Sequence, residues 1–79
     1  MRVRFYAVGR EITGTAALDV EATSMRELRD ALVKRFDARM TRLLDIATLL
    51  HEGTRRAMDD DVTFGPEDTI DVLPPFAGG

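Results

Sequence analysis

Residues 69–79, Thr69-Ile70-Asp71-Val72-Leu73-Pro74-Pro75-Phe76-Ala77-Gly78-Gly79, run from an alternating, β-branched segment into a proline pair and end on two glycines. The alternation over Thr69–Leu73 predicts a strand. Pro74 and Pro75 then remove two backbone donors and fix φ, so sheet pairing should stop and the chain should continue extended, near polyproline II. Gly78 and Gly79 close no turn and cap no helix. They make a chain end thin enough to thread a narrow channel, with a carboxylate at its tip. From Pro74 to Gly79 such a tail spans about 20 Å at about 3.3 Å per residue. Chain ends commonly fray, but two prolines and an aromatic ahead of the glycines argue for a working tail. The expected division is a folded domain over residues 1–75 and a flexible Gly-Gly tail over 76–79.

The other end of the chain supplies a matching strand. Arg2 to Val8 alternates, with Val3, Phe5 and Ala7 on one face and Arg2, Arg4 and Tyr6 on the other. Gly9 to Gly14 reads as a connection, and Thr15 to Ala22 as a second strand with Ala16, Leu18 and Val20 inward, completing a hairpin. The period then changes. Ser24-Met25-Arg26-Glu27 has the form of a capping box, and Met25, Leu28, Ala31, Leu32 and Phe36 follow helical spacing. A helix is expected from Met25 to about Phe36, lying across the hairpin. Met40, Leu43 and Leu44 suggest a short helical turn. Ile46 to Leu50 reads as a buried third strand, Glu52-Gly53-Thr54 and Gly65-Pro66-Glu67-Asp68 as turns, and Arg55 to Met58 as a short strand. The expected core is Val3, Phe5, Leu18, Val20, Leu28, Leu32, Phe36, Ile46, Leu49, Ile70 and Val72. This order gives an α+β domain with a mixed sheet and one main helix on one face.

Composition narrows the function. Of 79 residues 44% are hydrophobic, which suits one globular domain. A domain of this size buries only about 60–65% of its unfolded surface, so it gains from a partner. There is no Cys; disulfides, thiolate metal sites and a cysteine nucleophile are excluded. The formal net charge of −3 argues against non-specific nucleic-acid binding. No apolar run approaches the ~20 residues of a membrane span, and no secretory signal is visible, so the expected compartment is the cytosol.

No self-contained active site emerges from the side chains. His51 is the one histidine and reads as a surface or strand-edge residue, lacking partners for a metal site. Asp59-Asp60-Asp61 lacks the spacing of a calcium loop and reads as a solvated turn. The arginines of the main helix form an ordinary polar face. No glycine-rich phosphate loop is present, so the chain is expected to bind no cofactor or metal of its own. What remains is the Gly79 carboxylate. Ionised, with a reference pKa of about 3.5, it is a poor electrophile until activated, and adenylation is the usual route. Gly78 and Gly79 suit that step, because a side chain would meet the walls of an activating enzyme's channel.

The ending Leu73-Pro74-Pro75-Phe76-Ala77-Gly78-Gly79, with the strand Arg2-Val3-Arg4-Phe5-Tyr6-Ala7, Gly9-Arg10-Glu11, and Gly65-Pro66-Glu67-Asp68-Thr69-Ile70, resembles the MoaD-like small subunits of molybdopterin synthase, sulfur carriers of the MoaD/ThiS family. Residues between these segments match in pattern only. The resemblance implies a ubiquitin-like β-grasp fold with the first and last strands adjacent in mid-sheet. It implies adenylation of Gly79 by a ubiquitin-activating-type (MoeB-like) enzyme that uses ATP and Mg, then conversion to a thiocarboxylate. The tail would enter a MoaE-like large subunit, in a heterotetramer, and deliver sulfur to cyclic pyranopterin monophosphate. In that scheme Gly79 carries the reactive group and Gly78 gives clearance. Leu73, Pro74, Pro75, Phe76 and Ala77 contact the partner, with Phe76 standing where the family more usually has a smaller aliphatic residue. Carriers for thiamin thiazole or cysteine synthesis share the fold and ending. So does a ubiquitin-like modifier conjugated to lysines through Gly79.

Overall fold

The computed structural model describes residues 1–75. The tail over 76–79, with Phe76, Ala77, Gly78 and Gly79, lies outside the described residues. Among the described residues five strands and three helices occur in the order β1 (Arg2–Phe5), α1 (Val8–Thr13), β2 (Ala17–Asp19), α2 (Met25–Arg35), α3 (Ala38–Ile46), β3 (Thr48–His51), β4 (Thr54–Arg56) and β5 (Thr69–Leu73).

The strands form one mixed sheet in the order β2-β1-β5-β3-β4. As expected, the first and last strands sit side by side. They run parallel, with Val3 opposite Ile70 and Phe5 opposite Val72. The other pairings are antiparallel. A hairpin, a helix laid across it and a last strand inserted mid-sheet make the ubiquitin-like β-grasp arrangement.

Alternation in β1 and β5 sends Val3, Phe5, Ile70 and Val72 to one face, where none has any exposed surface. Met25, Leu28 and Leu32 of α2 and Met40, Leu43 and Leu44 of α3 close over them in one apolar cluster. Leu49 and Val20 join it as expected, while Leu18 and Phe36 are only partly buried against it. The Phe36 ring meets Phe5 edge-on, with centroids 6.5 Å apart. Among the described residues, no helix is long and apolar enough to cross a membrane.

Several expectations need correction. β1 stops at Phe5, and Ala7 is exposed at the start of α1 with φ 51° and ψ −121°. The segment Gly9–Gly14, expected as a loop, is mostly helix. Gly9 is buried within it, because a Cβ there would lie 3.3 Å from Leu43 Cδ2 and 3.5 Å from Phe5 Cβ. The glycine permits close approach between elements rather than a turn. β2 is shorter than expected, and Ala16 is exposed, not inward. The helical turn near Met40 is a nine-residue helix, begun by Asp37, whose side chain accepts the Arg39 N–H at 2.9 Å. Ile46 ends that helix and is 63% exposed, so it belongs neither to a strand nor to the core. In α2, Ser24 Oγ accepts from the Glu27 N–H at 3.1 Å. The Glu27 carboxylate, however, reaches the N–H and hydroxyl of Thr23, both at 2.8 Å, one residue before the cap.

Candidate functional site around the end of β5

β5 is the central strand, and its C-terminal end fixes where the tail leaves the domain. Phe5 opposes Val72 in the parallel pair, so this end lies where β1 passes into α1. Thr48 opposes Leu73 in the antiparallel pair, so it also lies where α3 passes into β3. The exit is thus framed by the start of α1 and the end of α3.

Of the expected partner-binding residues, three are described. Leu73 is half-buried at the last register position of β5. Pro74 is buried, and Pro75 is exposed. Burial therefore runs one residue into the proline pair and ends at Pro75. With no N–H, neither proline can continue the ladder to β3. Phe76, Ala77, Gly78 and Gly79 fall outside the described residues.

The outward face of β5 carries Thr69, Asp71 and Leu73, alternating with the buried Ile70 and Val72. Asp71 accepts two hydrogen bonds from its cross-strand neighbour Arg4, from Nε and, at 3.0 Å, from Nη2. The Tyr6 hydroxyl lies 3.4 Å from the same carboxylate. The hydrogen bond to Asp71, and then its charge, raise the Arg4 pKa above its ordinary value. This bidentate pair fixes a charged patch on the open face, on the strand that leads into the tail.

His51 is not the surface residue expected. It is 9% exposed, with Nε2 2.8 Å from Asp68 Oδ2 and its ring edge-on to Phe64 at 4.8 Å. Arg56 Nε approaches His51 Nδ1 at 3.4 Å from the other side of the ring. The Gly65 N–H also donates to Asp68 at 3.0 Å. That bond, followed by the one from His51, holds the Asp68 pKa below the usual carboxylate value. The group ties the turn before β5 to the end of β3. Phe64 escapes sequence reasoning because it sits in a loop without periodicity; an aromatic just before Gly65-Pro66 is the one signal it leaves.

Asp60 of the acidic run accepts the Ala57 N–H at 2.9 Å, closing a turn. No cluster of three potential metal-ligating side chains occurs among the described residues.

No protein-family profile and no curated protein matches this sequence. Solved structures do. One chain of a Helicobacter pylori complex of subunits 1 and 2 of molybdopterin-converting factor superposes with a TM-score of 0.72 at 22% identity, over 99% of this chain and 96% of that one. A Haloferax volcanii protein solved in solution superposes with a TM-score of 0.73, also at 22% identity, over 99% of this chain and 84% of that one. These likenesses establish the fold: the chain is a small ubiquitin-like β-grasp protein, similar over its length to a chain of the molybdopterin-converting factor complex.

Proposed function

We propose that this protein is a sulfur carrier acting in the cytosol as the small subunit of a molybdopterin synthase. One observation carries the reading: a β-grasp domain resembling a molybdopterin-converting factor subunit delivers its central strand directly into Pro-Pro-Phe-Ala-Gly-Gly. The fold supplies a rigid base for the tail, and the reactive atom belongs to the terminus rather than to any side chain.

The chemistry follows from the carboxylate. An oxygen of the Gly79 carboxylate attacks the α-phosphorus of ATP in a separate MoeB-like enzyme, with Mg, and pyrophosphate leaves. A sulfur nucleophile then displaces AMP from the acyl carbon and forms the thiocarboxylate. In the large subunit that sulfur attacks a carbon of cyclic pyranopterin monophosphate to form a thioester, and water then cleaves the acyl–sulfur bond, leaving the sulfur on the pterin and Gly79 as a carboxylate. Gly78 and Gly79 let the backbone pass a narrow channel, while Phe76, with Leu73, Pro74, Pro75 and Ala77, holds the tail at fixed depth. The structure of the Helicobacter pylori neighbour is of a complex of two subunits, which supports a large-subunit partner here.

Intact-mass analysis of the protein isolated from its own host tests the proposal. A thiocarboxylate adds about 16 Da, sulfur for oxygen, in the manner of a covalent carrier intermediate. Loss of that increment on deletion of the gene for the activating enzyme is the expected result. Finding instead only an isopeptide bond from Gly79 to lysines of other proteins would make the chain a modifier.

A further inference from the structure

The two exposed large apolar residues of the described chain, Val8 at 43% and Ile46 at 63% exposure, border the same groove between α1 and α3. Its floor is Ile12 and Leu43, and its volume is about 240 Å³, room for one or two aliphatic side chains but not for a helix. The rim is basic. Arg39 and Arg42 stand one turn apart on α3, both exposed. Arg39 is held by Asp37 at 3.2 Å, whereas Arg42 makes no salt bridge to another described residue. Glu11 is the single acid on the rim.

The groove's position singles it out. Val8 opens α1 and Ile46 closes α3, and these are the two element ends that frame the exit of β5. A molecule that grips the segment after Pro75 meets the groove next to it. On an acidic chain of net charge −3, an arginine without a salt bridge among the described residues, standing beside uncovered apolar surface, fits a partner that offers a carboxylate.

We propose that the α1–α3 groove is a second contact for the partner that receives the tail, taking from it an apolar side chain flanked by a carboxylate. Ile46 and Val8 clasp the apolar group, and Arg42 pairs with the carboxylate. The inference rests on the carrier reading, and it adds a contact outside the tail and the open sheet face. The groove supplies orientation: two contacts fix the domain's rotation on its partner, which a single contact does not.

Titration calorimetry against the molybdopterin synthase large subunit of the same organism, at low and at physiological salt, tests it. Ile46→Ser should weaken binding about tenfold, the loss typical of an apolar anchor. Arg42→Gln should weaken it mainly at low salt and flatten the salt dependence. Melting temperatures should not move, since both side chains are exposed. If the wild-type chain does not bind, the carrier reading fails and the groove contact with it. If it binds and both variants match it, the groove proposal alone is overturned. It is overturned equally if the weakening disappears once affinities are corrected for fraction folded. Finally, if Ile46→Ser abolishes a wild-type dimer in sedimentation without changing large-subunit affinity, the groove belongs to a second copy of the chain and the proposal is wrong.

Discussion

His51 Nε2 and Asp68 Oδ2 lie 2.8 Å apart, joining the end of β3 to the turn that launches β5. Because the folded state lowers the Asp68 pKa, the ionised carboxylate stabilises the fold. That stabilisation is fully present above the unfolded carboxylate value of about 4 and is lost as pH falls through the lower folded value. Asp68→Asn should therefore reduce the denaturant midpoint at pH 7. The gap to the wild type should close in acid. A constant gap from pH 7 to pH 2 would show that the Asp68 charge is not what holds the turn.

Leu32 on α2 has no exposed surface. Leu32→Ala should cost roughly 2–5 kcal/mol, a large share of the stability of a domain this small. Urea unfolding with an unchanged slope is the measurement. A loss below about 1 kcal/mol would mean the helix repacks without it.

Ala7 holds φ at 51° with ψ at −121°, a region costly for any residue with a Cβ. Ala7→Gly should raise stability by about 1 kcal/mol, the strain relieved exceeding the entropy glycine adds to the unfolded chain. Thermal melts read this directly, and a lowered melting temperature would contradict it.

Deleting Gly79, or adding one residue after it, should abolish sulfur transfer and leave the circular dichroism spectrum unchanged. One residue displaces the reactive atom by about 3.3 Å. Full activity of an extended chain, with mass spectrometry showing no trimming back to Gly79, would remove the fixed-depth argument.

Phe76→Ala should weaken large-subunit binding by more than about 1 kcal/mol and leave the melting temperature of the isolated protein unchanged. Equal affinity would make the tail a passive tether. A lowered melting temperature would place Phe76 against its own domain.

The β-grasp topology was legible because its signals are periodic. Two-residue alternation at both ends of the chain located β1 and β5, and helical spacing after Ser24 located α2. What escaped was set by packing. Val8 and Ile12 are four apart, but the flanking Gly9 and Gly14 masked α1 as a loop; only contact with Leu43 shows why Gly9 must be small. Ile46 extended an apolar run and so looked like strand, although it is the last residue of α3. His51 gave no sign of burial, since its partners Phe64 and Asp68 are brought to it by the fold. The tail expected to meet a partner was read from composition alone, and of its residues Leu73, Pro74 and Pro75 have a placement among the described residues.

The parallel pairing of β1 with β5 joins Arg4 to Asp71, residues 67 apart in sequence. During translation β1 emerges early and must wait for nearly the whole chain before its central neighbour exists. A polypeptide halted before Thr69 leaves β1 and β3 without the strand between them, and Val3, Phe5 and Leu49 without Ile70 and Val72. Such non-local pairing slows folding, and here it also makes folding conditional on synthesis running through Leu73. A chain that stops short of Thr69 lacks the central strand and presents no finished sheet, so anything that recognises the sheet surface meets only chains synthesised at least through β5.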